Sequence, residues 1–441
     1  MIDIYTDKKE SKDWILQNDL YFNLNTGNEE MSQNEINLIQ QVDEARLTPD
    51  KHIETKYGLG TIRNLSSGCK TLLNIVKHPD KVVNVEECGP NVLRIIFTMD
   101  NIKIYMSRPT LFDIPDDRKV HKRAIPRLGG VSFFPTTLFA FCLVYTFRLL
   151  GGDSVSTLYA SYLLPELLLF ACGMTLLYLT GIADDLVGVR YRQKFVIQIF
   201  CACLFPLSGL WINDLYGLFG IHELSAYVGI PFTVLTVVFI TNAINLIDGI
   251  DGLASGLSSV ALLVFTFLFI SKGLWSYAML SAGTFGVLVP FFYYNVFGSV
   301  ERARKIFMGD TGSLTLGYTL SFLAIKYSQH NTDIMPYTEG AFLIAFSTMI
   351  IPAFDVVRVV LVRIREGHSP FEPDKNHIHH KLLAIGLSPR RAMLSLLSMS
   401  CAFSAANILL VPYINNTVLL IADIVIWVGL NLWWDYLRDR K

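Results

Sequence analysis

Long apolar runs recur along the chain from Gly130 to the carboxyl end, and few charged residues interrupt them. Each run approaches the ~20 residues that a helix needs to cross the hydrocarbon core of a bilayer. We count roughly ten such runs, centred near residues 140, 174, 203, 238, 263, 285, 319, 350, 402 and 426. The pattern therefore predicts an all-α polytopic membrane protein with about ten transmembrane helices.

The first 106 residues differ, because they are dense in charge and contain no apolar run of spanning length. Helical periodicity marks residues 32–46 and 66–76, while alternating polar and apolar positions mark residues 82–85, 92–98 and 102–105, with a hairpin turn at 99–101. We expect a small soluble cytoplasmic α+β domain over residues 1–106 and a membrane domain over residues 107–441. No catalytic motif marks the small domain, which leaves both a regulatory and an inert accessory role open.

Composition and charge exclude several classes of protein. With 52% hydrophobic and 17% charged residues, the chain is too apolar for an ordinary soluble protein. Its formal net charge of −1 excludes a strongly basic nucleic-acid binder. Its seven cysteines lack paired zinc-ligand spacing, which indicates free thiols. The polar start of the chain does not form a cleavable signal peptide, so we expect a cytoplasmic amino terminus.

The positive charges provide a check on orientation, because cytoplasmic loops are enriched in Lys and Arg. With the amino terminus inside, alternate loops are predicted to face the cytoplasm, as is the carboxyl end. Those segments carry Arg190, Arg192, Lys194, Arg302, Arg304, Lys305, Arg363, Arg365, Lys375, Lys381, Arg390, Arg391, Arg438, Arg440 and Lys441. The predicted outer loops offer only Lys272 and Lys326 near their edges. We therefore predict that both termini are cytoplasmic.

Six carboxylates lie near the predicted inner ends of the spans. Carboxylates inside a membrane cost about 2.5 to 3.5 kcal/mol each, so their positions are informative. They are Asp184, Asp185, Asp248, Asp251, Asp310 and Asp355. Acids this close together would repel one another unless a cation or Lys194 neutralised them. Mg²⁺, with Mn²⁺ as an alternative, suits scattered carboxylates that share the metal with substrate phosphates.

A transporter is the alternative from another class, since intramembrane acids often mark a conduction path. Transport sites lie near the bilayer midplane, often between repeated halves. The acids here lie at inner ends, and the sequence shows no internal repeat, which favours an enzyme. A catalytically inactive membrane scaffold is the third interpretation.

A histidine-rich loop follows the eighth predicted span. His377, His379 and His380 stand beside Lys375 and Lys381. Three imidazoles match the ligand number of a zinc site, but adjacent histidines point to different faces, and neither a cysteine nor a fourth ligand is near. We therefore favour binding of a diphosphate over zinc.

Several motifs in fixed order give the chain a family resemblance, from about Asp113 to the carboxyl end. They are Asp-Ile-Pro-Asp-Asp-Arg-Lys-Val-His over 113–121, Pro-Arg-Leu-Gly-Gly over 126–130, the Asp184–Asp185 pair with Lys194, Asn-Ala-Ile-Asn-Leu-Ile-Asp-Gly-Ile-Asp-Gly over 242–252, Phe-Met-Gly-Asp-Thr-Gly-Ser over 307–313, and His-Ile-His-His over 377–380. This set resembles the polyprenyl-phosphate N-acetylhexosamine-1-phosphate transferases. The Ser-Pro-Phe-Glu-Pro-Asp stretch over 369–374 is similar to the branch that starts O-antigen, common antigen and teichoic acid linkage units.

The resemblance implies roles for individual residues. The catalytic acids would be Asp184, Asp185, Asp248 and Asp251, and the metal ligands Asp310, Asp184 and Asp185. Asp184 would take the proton of the lipid phosphate. Substrate-binding groups would be Lys119, His121, Lys194, Asn242, Asn245, His377, His379 and His380.

The resemblance also implies the reaction. Sugar-1-phosphate, expected to be N-acetylglucosamine-1-phosphate, would pass from a UDP-N-acetylhexosamine to undecaprenyl phosphate with release of UMP. The enzyme would lie in the bacterial inner membrane among lipid, and a second copy of the chain is a candidate partner. The chain departs from the family pattern in one respect: the soluble domain stands where relatives carry a membrane helix before the Asp113 motif.

Overall fold

The computed structural model describes residues 125–151, 157–299, 302, 304–335, 337–367 and 377–440, together with eight short strands nearer the amino terminus. The chain divides into two compact units, Met1–Ile125 and Pro126–Lys441.

The first unit contains antiparallel strands. They are β1 (Ile2–Tyr5), β2 (Phe22–Leu24), β3 (Glu54–Thr55), β4 (Gly58–Ile62), β5 (Val82–Gly89), β6 (Val92–Phe97), β7 (Lys103–Met106) and β8 (Phe112–Asp113). One sheet has the order β1-β7-β6-β5 and another has the order β2-β4-β3. Strands β5, β6 and β7 overlap the three alternating segments of the sequence. The predicted helices at 32–46 and 66–76 and the turn at 99–101 lie outside the described residues.

The second unit is a helical bundle. After strand β9 (Ile125–Pro126) and a 3-10 turn (Leu128–Ser132), its helices are α1 (Phe133–Leu150), α2 (Thr157–Val187), α3 (Tyr191–Leu207), α4 (Ala226–Ile247), α5 (Leu253–Ser271), α6 (Trp275–Phe297), α7 (Gly309–Ser328), α8 (Ala341–Ser347), α9 (Ile350–Arg365), α10 (Ile378–Ala384), α11 (Pro389–Leu410) and α12 (Asn416–Asp439). A small hairpin, β10 (Asp214–Leu218) and β11 (Ile221–Glu223), joins α3 to α4.

The helices are those of a multi-pass membrane protein. Among the described residues, seven helices are long and apolar enough to cross a membrane: α1, α2, α4, α5, α6, α11 and α12. The pair α8 and α9, bent by 79°, makes an eighth span if it is counted as one. A helix lies at every one of the ten predicted positions, but α3, with 17 residues, and α7 do not meet these criteria.

Helix α7 fails the hydropathy criterion because it is surrounded by protein. Every residue from Thr311 to Ser328 is buried. Glycines let other backbones approach closely: a Cβ at Gly317 would lie 2.6 Å from the Thr241 Cα of α4. The hydroxyls of Thr315 and Thr319 donate to carbonyls one turn earlier in the helix, which satisfies them without water. A small, polar helix thus occupies the centre of the bundle.

A buried ion pair joins α7 to α2. Lys326 Nζ lies 2.7 Å from Glu166 Oε1, and the Tyr277 hydroxyl donates to the other oxygen of the same carboxylate. Lys326 is 0% and Glu166 3% exposed. The sequence pattern placed Lys326 near the edge of an outer loop, and the structure places it in the last turn of α7 with its side chain buried. The lysine is buried because its charge has a partner on the neighbouring helix.

The ion pair predicts an asymmetric response to mutation. Lys326→Met is expected to lower the free energy of unfolding by about 3–5 kcal/mol, because it leaves the Glu166 charge buried and unpaired. Adding Glu166→Gln should recover most of that loss, since the double variant buries no charge at this site. Denaturation of the purified variants measures both effects. A double variant as unstable as Lys326→Met alone would contradict the interpretation.

Candidate active site

Four helix ends meet at one end of the bundle and bring distant polar residues together. Asp184 lies in the last turn of α2, Lys194 in the first turn of α3, Asn245 in the last turn of α4 and Asp310 in the first turn of α7. All four side chains are only partly buried, so the cluster is open to solvent on one side. The structure thus brings Asp184 and Asp310, acids of separate helices, together at one end of the bundle.

Lys194 lies at the centre of the cluster. Its Nζ atom is 2.8 Å from Asp184 Oδ2 and 2.7 Å from Asp310 Oδ2. Asp184 Oδ1 also accepts from the backbone N–H of Val189, and Asp310 Oδ1 accepts from Asn245 Nδ2 at 3.1 Å. Two carboxylates from different helices therefore share one cation, which offsets their mutual repulsion.

Asp185 has a different environment from its neighbour Asp184. It is 5% exposed and accepts from the backbone N–H groups of Asp310 and Thr311, at 2.8 and 2.9 Å, and from the Thr311 hydroxyl at 2.7 Å. The first N–H groups of a helix have no partner within the helix, and a carboxylate stabilises that end. Asp185 thus caps α7 from α2 and fixes the position of Asp310.

Close packing keeps this cap in place. Gly309 has a φ of +71°, in the left-handed region that favours glycine. A Cβ there would lie 2.6 Å from Asp185 Oδ2. Any other residue at position 309 would be strained and would push the Asp185 carboxylate away from the start of α7.

The two asparagines predicted for the site have separate environments. Asn245 Nδ2 donates to Asp310 and, at 2.8 Å, to Ser313 Oγ. Asn242 instead donates to Gln198 Oε1 of α3 at 2.6 Å and to a carbonyl of its own helix. The structure therefore brings Asn245 into the acid cluster, while the amide of Asn242 is used between α3 and α4.

The turn after α4 contributes the other acids. Asp251 forms an ion pair with Lys305, and Gly252, with a φ of +77°, donates its N–H to Asn295 Oδ1 at 2.6 Å. Sequence reasoning treated Lys305 only as an inner-loop charge and missed Asn295. The sequence gives little indication of either residue's contact, because neither Lys305 nor Asn295 belongs to a motif that predicts a contact with this turn.

Asp248 is the acid in this turn whose protonation is most perturbed. Its side chain reaches solvent, but the surrounding protein removes much of its hydration, and the carboxylates of Asp310, Asp251 and Asp185 repel its charge. These effects raise the pKa of Asp248 to about 7, against a smaller opposing effect of Arg127. Asp248 is therefore partly protonated near neutral pH.

The histidines lie against this turn. His379 is 2% exposed, and a Cβ at Gly249 would lie 2.1 Å from its Nε2 atom. Neither ring nitrogen of His379 has a hydrogen-bond partner in the described part of the chain. Burial, together with His380 and His377, lowers the pKa of His379 to about 3, so its imidazole is neutral. The ring stacks at 5.9 Å on that of His377.

The geometry gives the zinc alternative no ligand set. In the residues that the structure describes, no three side chains of His, Cys, Asp or Glu converge as metal ligands. His377 Nδ1 is bonded to Asp355, and the rings of His379 and His380 lie 4.3 Å apart, centre to centre. Lys119, His121 and residues 368–376 lie outside the described residues.

The bundle and its acid cluster define a class: a multi-pass membrane protein with a polar site at the ends of its helices. The model of the family described as glycosyl transferase family 4 matches residues 167–328, which include the acid cluster. The chain belongs to this family, and its resemblance to the polyprenyl-phosphate N-acetylhexosamine-1-phosphate transferases is confirmed.

Curated relatives match over most of the chain. The probable undecaprenyl-phosphate N-acetylglucosaminyl 1-phosphate transferase of Bacillus subtilis is 32% identical over 299 residues, 68% of this chain and 76% of the relative. The undecaprenyl-phosphate alpha-N-acetylglucosaminyl 1-phosphate transferase of Salmonella typhi is 31% identical over 317 residues, 70% and 80% of the two chains. The protein of that name from Escherichia coli K12 is 29% identical over 331 residues, 72% and 82%.

Proposed function

We propose that the chain transfers N-acetylglucosamine-1-phosphate from UDP-N-acetylglucosamine to undecaprenyl phosphate at the cytoplasmic face of the bacterial inner membrane. The observation that carries this proposal is Lys194 held between Asp184 and Asp310, in a chain whose relatives are named for this transfer. A cation site at helix ends would suit a phosphate transfer between a water-soluble donor and a membrane-bound acceptor. A transport path would instead place its acids near the midplane.

The reaction is a phosphoryl transfer. An oxygen of the lipid phosphate attacks the β-phosphorus of the UDP-sugar, the bond from that phosphorus to the bridging oxygen breaks, and UMP leaves. The lipid then carries the sugar through a diphosphate. Such transfers depend on positioning and on neutralising charge. We assign Asp184 as acceptor of the lipid phosphate's proton, and Lys194 as the cation that holds phosphate oxygens.

The acid cluster fits Mg²⁺. The Oδ2 atoms of Asp184 and Asp310 both lie within 2.8 Å of one ammonium group, so a cation is accommodated between them. Mg²⁺ prefers one or two carboxylates with water and substrate phosphates, and Mn²⁺ accepts the same oxygen ligands. Asp310 and Asp184 would hold the metal, which would neutralise the diphosphate. We propose a positioning role for Asp185, because both of its oxygens hold the start of α7.

We assign the donor to the turn that contains Asp248 and Asp251 and to the neighbouring histidines. Gly249 tests this assignment, because only a hydrogen atom fits beneath His379. Gly249→Ala is expected to raise the KM for the UDP-sugar at least about tenfold by displacing the imidazole. Gly283→Ala is the matched control, since a Cβ at Gly283 meets nothing within 4 Å. An unchanged KM in Gly249→Ala would exclude His379 from the donor site.

The pKa of Asp248 predicts a pH dependence. If the ionised carboxylate binds the donor, kcat/KM for the UDP-sugar falls about tenfold per unit as pH drops below about 7.

The contribution of Asp248 to the free energy of unfolding changes in the opposite direction. Because the folded state holds the Asp248 proton between its ordinary pKa of 3.8 and about 7, stability is gained, not lost, as pH falls through this window. The titration of Asp248 therefore does not destabilise the folded state in this pH window.

The variant Asp248→Asn distinguishes the titration of Asp248 from that of the lipid phosphate, whose second pKa is about 6. Asp248→Asn should lose the inflection near 7 and keep that of the lipid. Full pH profiles of kcat/KM for both proteins are the measurement, and identical profiles would reject the role of Asp248.

The products test the proposed function. Purified protein given UDP-N-acetylglucosamine, undecaprenyl phosphate and Mg²⁺ should form equal amounts of UMP and a lipid-linked N-acetylglucosamine diphosphate, measured by mass spectrometry. Release of UDP would indicate transfer of the sugar alone and would contradict the proposal.

A further inference from the structure

Another buried acid, Asp355 of α9, lies apart from the acid cluster. It is 0% exposed, and both of its oxygens accept hydrogen bonds. Oδ1 lies 2.9 Å from the backbone nitrogen of Ile378 and 2.9 Å from Arg358 Nη2, and Oδ2 lies 2.8 Å from His377 Nδ1. A fully buried carboxylate is stable only with such compensation, and Arg358 and His377 provide it.

These contacts hold the beginning of a short segment rather than a substrate. His377 precedes α10, and Ile378 is its first residue, so one carboxylate fixes both the backbone and the first imidazole of the histidine segment, residues 377–380. Asp355 is 22 residues away from His377 along the chain. The histidine segment therefore takes its position from the membrane bundle through this side chain.

The same contact fixes the tautomer of His377. The Asp355 carboxylate accepts a hydrogen bond from the N–H group at Nδ1, and in the tautomer that carries its one ring proton there, Nε2 is the nitrogen able to accept a hydrogen bond. His377 stacks on His379, and His379 covers Gly249 in the turn that contains Asp248 and Asp251. A continuous set of contacts thus runs from Asp355 to the proposed donor site.

We propose that Asp355 is a positioning residue for the reaction: through His377 and the start of α10, it holds the histidine segment against the Asp248–Asp251 turn. The inference rests on the proposed function in that it gives this segment a role in binding the UDP-sugar. The proposed role of Asp355 is therefore indirect and acts through His377 rather than through contact with the substrate or the metal.

Asp355→Asn is the test, because it preserves size while reversing one hydrogen bond. The new amide oxygen can still accept a hydrogen bond from the backbone N–H of Ile378. The amide nitrogen, however, donates a hydrogen bond to His377 Nδ1, so the ring proton must lie on Nε2. The same change of tautomer follows when the Asp that orients a catalytic His is replaced by Asn. Loss of such an orienting partner typically lowers activity or affinity about 10–100-fold. We expect that loss in kcat/KM for the UDP-sugar, mainly through KM.

Asp423→Asn is the matched control. Asp423 is 5% exposed and accepts a hydrogen bond from Asn407 at 2.8 Å, so it is also a buried acid with a polar partner. It lies in α12, and in the described residues its hydrogen bond is made to Asn407 of α11 rather than to the histidine segment. This variant should change thermal stability at most, with KM within about twofold of wild type.

A second readout does not depend on turnover. In protein labelled with ¹⁵N-histidine, solid-state NMR should show His377 protonated on Nδ1 in wild type and on Nε2 in Asp355→Asn. An unchanged tautomer, wild-type kcat/KM in Asp355→Asn, or an equal loss in Asp423→Asn at equal stability would each overturn the proposal. If wild type releases no UMP, the proposed function fails, and the tautomer still reports whether Asp355 orients His377.

Discussion

Replacing Asp310 by Asn is expected to lower turnover by at least about 100-fold and to weaken the response to Mg²⁺. Asn keeps the shape of the side chain, and its oxygen can still accept from Asn245. It removes the charge that lies 2.7 Å from Lys194 Nζ and that we assign to the metal. The measurement is UMP release at a series of Mg²⁺ concentrations.

The outcome separates a metal ligand from a structural acid. In Asp310→Asn the Mg²⁺ concentration at half-maximal rate should rise at least about tenfold. Asp423→Asn, at a buried acid whose hydrogen bond in the described residues is made to Asn407, should leave the magnesium titration unchanged. An unchanged titration in Asp310→Asn would reject Asp310 as a metal ligand, whatever the effect on the rate.

Replacing Asp184 by Asn has the second large expected effect. Loss of a general base typically lowers the rate about 10²–10⁴-fold, and we expect a loss in this range. The fold should survive, because Asp184 is partly exposed, and Lys194 keeps its contact with Asp310. The single-turnover rate with bound substrates is the measurement, together with thermal stability. A wild-type rate would exclude Asp184 as the base. Unfolding of the variant would instead show that the Asp184–Lys194 pair is needed to hold α2 and α3 in place.

Hydrophobic patterning predicted the membrane helices and the common location of the acids. It could do so because spans of ~20 residues and charges at their ends are properties of local sequence. The pattern also marked α7, which is a helix in the structure but is less apolar than the seven span candidates. Helix α7 is rich in small and polar residues because its neighbours, not lipid, surround it, and hydropathy does not distinguish these environments.

The sequence motifs contain most of the residues of the candidate site, but they do not indicate the role of each residue. Asp184 and Asp185 are adjacent in sequence, yet one carboxylate meets Lys194 while the other caps α7. A helix turns by 100° per residue, so adjacent side chains point in different directions, and their partners come from segments far along the chain. Asp310, whose backbone N–H Asp185 accepts, is 125 residues away in sequence.

The contacts between the ends of different helices could likewise not be predicted from the sequence. Helix α2 holds α7 near both ends, through Asp185 at one and Glu166 at the other. The contact between Asp355 and His377 joins an acid of one predicted span to the histidine loop, 22 residues away along the chain. Such pairs depend on how helices pack, which residue spacing within one helix does not determine.

The most direct test of the central claim is UMP release by the purified protein, measured with and without undecaprenyl phosphate and with and without Mg²⁺. We predict that wild type releases UMP from UDP-N-acetylglucosamine only when both are present, and that Asp184→Asn releases almost none. Release of UMP without the lipid, or no release from any UDP-N-acetylhexosamine by well-folded wild type, would contradict the claim that this cluster transfers a sugar phosphate to a lipid carrier.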